Sequence, residues 1–380
     1  MKLSRKLAFI LITLFIFIGG FLVGSLVTSY KASPEPSYTN NPASGSLKAL
    51  PGKVVPEPEA EKAVIGYVQD FRDPKNTNYK EYTHIIFSFA HPAADGQVAM
   101  NGDMAWDNLR QTVKLAREEN TKVMLAVGGW YHLSGGASYP YFKQAISQEP
   151  SRTRLVNELL AIVNKEQLDG IDIDFEHPRS EEDAQNLTEF AKELKLRLDP
   201  LNKELSVAVY SKINAVTGKE VNSVVFKPEL FQYTDRIHIM AYDGQWDDGY
   251  HAANLAPYDY VETIVHYWSS YFDRLQLSKE KLVLGIPAYA QPEDQNAKQL
   301  SYAAIVKKDP RNAQKDYITV NGTTYFYNGE PTVAKKAELA FKNGFGGMML
   351  WEAGHDSSGD TSLAGTINDV IKQDRLVTKN

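Results

Sequence analysis

From residue 63 onward the chain alternates between short, nearly unbroken apolar runs and longer stretches in which apolar residues recur every three or four positions. The runs lie at 63–68, 84–90, 122–127, 170–176, 205–210, 236–242, 281–286 and 346–351. Short runs rich in β-branched and aromatic residues read as strands, and strands covered on both faces lose the apolar/polar alternation. The stretches between them read as amphipathic helices. The clearest sets Leu187, Phe190, Ala191, Leu194 and Leu198 on one stripe, with Ser180 and Asp183 as a capping box in front and Pro200 as the stop. Eight strand–helix units in about 310 residues predict an α/β fold with a parallel sheet closed as a (β/α)8 TIM barrel. An open doubly wound sheet is the alternative, and it rarely needs eight repeats.

The pattern breaks in two places. After the seventh strand an insertion, 291–331, holds two β-rich runs around Asn321-Gly322, the signal of a type I′ hairpin. A helix is expected to resume with Thr332 as its N-cap and to stop at Gly344. At the other end, residues 1–28 contain an uncharged run from Leu7 to Val27 behind Lys2, Arg5 and Lys6. About 20 apolar residues suffice to cross a bilayer, and the positive flank keeps the N-terminus inside. The segment reads as a single-pass transmembrane anchor, with a cleaved signal peptide as the alternative. Either way the main domain is expected outside, on the extracellular face of the membrane or secreted. Residues 29–61, with six prolines among Ser, Asn, Gly and Glu, read as an extended linker. The barrel domain is placed at 62–376.

One strand departs from the apolar rule. In Gly170-Ile171-Asp172-Ile173-Asp174-Phe175-Glu176 the period of two sends Ile171, Ile173 and Phe175 to one face and Asp172, Asp174 and Glu176 to the other. Three acids do not make a core, because each buried charge needs a partner. Spaced roughly 6–7 Å apart, they cannot all ionise cheaply, so at least one is expected to hold its proton near neutral pH, as a general acid must.

Composition narrows the field. At 380 residues and 43% hydrophobic content the chain can bury a large core. A net charge of -6 gives no reason to expect nucleic acid. The absence of cysteine excludes disulfides, thiolate metal sites and a lipidated cysteine. The histidines show no ligand spacing, so neither a metal nor another cofactor is expected. A monomer is expected.

Asp169-x-x-Asp172-x-Asp174-x-Glu176 resembles the D-x-x-D-x-D-x-E signature of family 18 glycoside hydrolases, the chitinases and their relatives. Three further segments resemble family landmarks in the right order. Lys122–Trp130, ending Gly128-Gly129-Trp130, is similar to the S-x-G-G-W segment of strand three, with Ala126 where the family has Ser. Met240-Ala241-Tyr242-Asp243 is similar to the M-x-Y-D segment of strand six. The run 346–352, followed by Asp356, is similar to strand eight, whose Trp351 would floor the subsite of the reacting sugar. Phe175 and His177 depart from the family's usual neighbours of the acid, and the loss of a serine at Ala126 is expected to leave Asp172 one donor short.

The resemblance implies a retaining, substrate-assisted hydrolase of β-1,4-linked N-acetylglucosamine polymers. Glu176 would be acid and base, Asp174 would orient the acetamido group, Asp172 would share a proton with Asp174, and Tyr242 would hold the acetamido oxygen. Asp243, Trp351, Tyr67, Met240, Trp130 and Trp246 are implied in sugar binding, aromatic faces stacking on pyranose rings. The implied partner is chitin or another N-acetylglucosamine-containing glycan. An endo-β-N-acetylglucosaminidase on N-glycans, a peptidoglycan hydrolase and a non-catalytic chitin-binding lectin stay open as alternatives.

Overall fold

The computed structural model describes residues 61–377. The expected anchor or signal at 1–28, and the linker at 29–61 apart from Glu61, lie outside the described residues. Among the described residues no helix is long and apolar enough to cross a membrane.

In chain order the elements are β1 (Ala63–Gln69), β2 (His84–Pro92), β3 (Val98–Ala99), α1 (Gly102–Glu118), β4 (Lys122–Gly128), α2 (Tyr139–Ser147), α3 (Glu149–Glu166), β5 (Gly170–Asp174), α4 (Glu181–Leu198), β6 (Glu204–Tyr210), β7 (Arg236–Met240), α5 (Tyr258–Leu275), β8 (Leu282–Pro287), β9 (Tyr289–Pro292), β10 (Leu300–Ser301), α6 (Tyr302–Lys308), β11 (Tyr317–Val320), β12 (Thr323–Phe326), α7 (Glu330–Lys342), β13 (Gly347–Trp351) and α8 (Leu363–Val377). Eight strands pair in parallel in the order β1-β13-β8-β7-β6-β5-β4-β2, and β2 returns to β1. These eight strands therefore form a closed barrel, as expected, and the short β3 pairs antiparallel with the end of β2. Two connections differ from a strict strand–helix repeat. β1 to β2 runs through 3-10 turns at Pro74–Asn76 and Tyr79–Glu81, and β6 to β7 through a loop with one 3-10 turn at Pro228–Gln232. Pro74 and Pro228 open these turns, and proline tolerates only the start of a helix.

Local chemistry explains the helix that the stripe predicted. Ser180 Oγ accepts from Asp183 N at 3.1 Å, and α4 stops at Leu198, before Pro200. The return bond of the box is displaced by one residue: the Asp183 carboxylate takes Arg179 N, not Ser180 N. The insertion is a small antiparallel sheet, β10-β9-β12-β11, in which Asn321 and Gly322 both have positive φ, as a type I′ turn needs. Its first strand begins at Tyr289, two residues before the expected boundary. α7 also begins earlier than expected. Gly329 occupies the cap position, Pro331 lies in the first turn, and the Thr332 hydroxyl instead donates to Asp316 at 2.6 Å. Gly344, with φ +86°, follows the helix end as expected.

Candidate active site

The C-terminal ends of the barrel strands carry the acids. β5 ends at Asp174, two residues sooner than expected, so Phe175 and Glu176 leave the sheet and lift the third carboxyl to the mouth of the barrel. Asp172 and Asp174 point inward and are buried, which corrects the expectation that this face could not be part of the core. Asp172 meets the cost with partners. Tyr67 Oη donates to its Oδ2 at 2.8 Å, Ser206 Oγ donates to Oδ1 at 2.5 Å, and His238 Nδ1 lies 3.3 Å away. Asp174 Oδ1 has no partner among the described residues. Burial, then the charges of Glu176 and Asp172, raise the Asp174 carboxyl well above its ordinary range. The Asp174 carboxyl is therefore shifted toward its protonated form.

Glu176 keeps 17% of its side chain open. Burial, then the Asp243 charge, push its carboxyl up to about 8, so near neutral pH it is an acid with a proton to give. Its neighbour His177 lies between Trp130 and Tyr210, with ring centroids 6.4 and 5.0 Å away. Burial, then Arg179, hold that imidazole down at about 4, so it stands beside Glu176 as a neutral ring.

β7 supplies the next group. The Tyr242 hydroxyl takes no protein partner among the described residues, and burial, then the charges of Asp243 and Asp174, keep it protonated far above its ordinary range. Asp243 follows in the left-handed region at φ 63°, which Asp tolerates better than most residues. Its Oδ1 accepts from Tyr289 Oη at 2.5 Å and from Gln245 Nε2 at 3.0 Å. Met240 packs beneath, partly buried against the core.

The aromatic candidates separate into floor and rim. Trp351 ends β13 and lies on Phe89 at 5.8 Å and 29°, with Tyr67 at 5.5 Å on its other flank. Trp130 and Trp246 stand out at the mouth, 50% and 61% exposed. Trp246 leans on Tyr250 at 4.8 Å, and Tyr250 Oη donates to Pro292 O in the insertion at 2.5 Å. The Gly128-Gly129 pair is more than a turn. A Cβ on Gly128 would sit 2.1 Å from Asp174 O, and one on Gly129 would meet the Phe89 ring at 2.9 Å. Both glycines let β4 close over the acids. Among the described residues no three Asp, Glu or His side chains are grouped to hold a metal ion.

Three residues here escaped the sequence reading. Ser206 and His238 face inward from β6 and β7, and Phe89 faces the Trp351 ring. The expected shortfall at Ala126 does not arise: Ala126 and Ser206 flank Asp172 from opposite sides, each in register with it, and the hydroxyl comes from Ser206.

Comparison with known proteins agrees with this geometry. The sequence profile of glycosyl hydrolases family 18 matches residues 63–356. Probable chitinase 10 of Drosophila melanogaster is 28% identical over 290 residues, covering 68% of this chain and 12% of that protein. Probable chitinase 2 of the same organism is 30% identical over 227 residues, covering 55% of this chain and 44% of that protein. The chain thus spans less than half the length of either insect relative. The crystal structure of a chitinase from Bacteroides thetaiotaomicron superposes with a TM-score of 0.69 at 25% identity, covering 83% of this chain and 98% of that one.

Proposed function

The chain belongs to glycosyl hydrolases family 18, and from that premise we propose that it cleaves β-1,4 bonds of N-acetylglucosamine polymers, chitin or chito-oligosaccharides, with the substrate's own acetamido group as nucleophile. Glu176 gives its proton to the departing glycosidic oxygen. The acetamido oxygen closes on the anomeric carbon to form an oxazolinium ion, which Asp174 orients and Tyr242 aligns through its hydroxyl. Glu176 then takes a proton from the incoming water, whose attack restores the acetamido group with retained configuration.

One observation carries this reading. Asp174 ends β5 and Glu176 follows two residues on, near enough for its charge to act on the Asp174 carboxyl, so the two acids approach the substrate from one side and do not flank an anomeric carbon as acid and enzymic nucleophile must. The remaining acid at the mouth, Asp243, is already bonded to Tyr289 and Gln245. The nucleophile is left to the substrate. A free acid at Glu176 also favours an enzyme over a sugar-binding lectin. The uncharged run 7–27 and its basic flank support export of this domain, tethered at the outer membrane face or released.

Paired aryl glycosides test the mechanism. Chitobioside should turn over with retained configuration, and the cellobioside of the same leaving group should not. An N-acetylglucosamine thiazoline, a copy of the cyclised intermediate, should bind more tightly than substrate. Comparable rates on the two glycosides would overturn it.

A further inference from the structure

Inside the barrel, one layer below the reacting carboxyls, sits an ionisable group that the mechanism above does not use. His238 is buried without any exposure. Its strand sends Arg236, His238 and Met240 inward and Ile237 and Ile239 to the helices. His238 Nδ1 lies 2.8 Å from Tyr67 Oη and 3.3 Å from Asp172 Oδ1, while Nε2 is buried with no partner among the described residues.

The proton count settles how these atoms are shared. Tyr67 has one hydroxyl proton, and burial, then the charges of Asp172 and Asp174, keep it in place. If that proton went to His238 Nδ1, the imidazole would carry its own on Nε2, a buried donor with nothing to receive it. Such an orphan is costly, because the buried donor has given up its hydrogen bond to water and gained none in return. Asp172 Oδ2 would lose its donor as well. If instead Nδ1 carries the proton, it donates toward Tyr67 Oη and Asp172 Oδ1, Tyr67 donates onward to Asp172 Oδ2, and Nε2 is left as a lone pair. Only this second arrangement aims every proton of the cluster at Asp172. Ser206 adds a third donor on the other flank.

We infer that His238, in its Nδ1–H form, and Ser206 are positioning residues that hold the negative charge of the carboxyl pair on Asp172 and so leave the proton on Asp174, where the sugar is to be oriented. The inference rests on the proposed hydrolase reading only for its kinetic consequences; the tautomer stands without it. His238 is faced by Tyr67 from β1 and Asp172 from β5. Asp174, Glu176 and Tyr242 stand above it, and Arg236, paired with Glu204, one layer below.

Two measurements test this on the whole protein. The first needs no substrate. In 15N-labelled protein, the imidazole signals of His238 are those missing from His238→Asn. They should report an exchange-protected Nδ1–H and no proton on Nε2; a proton on Nε2 overturns the inference. The second compares kcat and KM across pH on an aryl chitobioside. His238→Leu and Ser206→Ala should each lower kcat about tenfold, the order expected for a lost hydrogen bond to a charge, with KM within about twofold. Without these donors the charged pair is less stable, so it takes up its second proton at higher pH, and the acidic limb of kcat should move up by about half a pH unit or more. His238→Asn, whose amide N–H can stand where Nδ1–H does, should recover most of the rate and the limb. If Leu and Asn variants have the same rate and the same limb, the residue only fills space and the inference is wrong. Should wild-type protein turn over no N-acetylglucosaminide at all, the hydrolase reading falls while the tautomer result still decides this one.

Discussion

The two ends of the barrel treat carboxylates in opposite ways. At the N-terminal end, Glu204 is ion-paired with Lys122, lies 3.3 Å from Arg236 Nε, and is bonded to His84. Asp235 holds Lys195 at 2.6 Å, and Asp169 faces Lys203 at 3.7 Å. At the C-terminal end, Asp172, Asp174, Glu176 and Asp243 share one mouth, with no lysine or arginine paired to any of them among the described residues. Burial raises a carboxyl at either end, but the outcome depends on the company. For Glu204 the bond from His84, the Arg236 charge and the bond from Lys122 outweigh it and hold the group far below its ordinary range. His84 is itself lowered by burial, so near neutral pH it contributes a hydrogen bond and the two cations supply the charge. For Asp174 and Glu176 the neighbours are further acids, and the shift runs upward. Paired acids hold the barrel together; unpaired acids are a standing cost that suits chemistry.

Removing an acid from each end should therefore have opposite results. Glu176→Gln should cut turnover of the chitobioside by about 10²–10⁴-fold while sugar binding persists. More than about a tenth of the wild-type rate would reassign the acid. The same variant should melt a few degrees higher at pH 8 than wild type and much less so at pH 5, because the raised group costs stability only once its unfolded counterpart has ionised. An unchanged or lower melting point at pH 8 would break the contrast. Wild-type kcat should fall as pH rises through about 8, where Glu176 gives up its proton.

At the opposite end Glu204→Gln should cost about 2–3 kcal/mol of stability and change kcat less than twofold, since it strands two cations far from the chemistry. That stabilisation is present above the ordinary glutamate range and fades as pH falls below it, so the penalty should shrink in acid. Denaturant titrations at pH 7 and pH 3.5 check both statements. The smallest effect belongs to the rim: Trp246→Ala should raise KM about two- to tenfold on longer chito-oligosaccharides, with little change on a chitobioside. An equal rise on both would place Trp246 at the reacting subsite instead.

The contrast also explains what the sequence disclosed. Barrel strands are covered on both faces, so they stand out as apolar runs, and each of the eight was found to within two residues. Asn321-Gly322 betrayed its hairpin because two consecutive left-handed residues have few sequence solutions. The starts of α7 and of the insertion were missed because Gly329 caps through its backbone and β9 continues directly from β8. The acids were legible because charge inside an apolar run is conspicuous. Ser206 and His238 were not, since a small hydroxyl and a lone imidazole pass for ordinary strand residues until neighbouring strands bring them to Asp172. Ala126 misled for the same reason: a lost donor can be replaced from the strand on the other side, and no single-strand motif records that.

The bond from Tyr250 to Pro292 has a consequence for anyone remodelling this protein. It fastens the loop that carries Trp246 to the small antiparallel sheet built on β9, so the platform and the wall beside it form one mechanical unit. Exchanging the insertion for a longer one, to deepen the groove, would cut that fastening and release the tryptophan as well. A successful graft has to transplant residues 244–251 together with 289–329, as a single cassette.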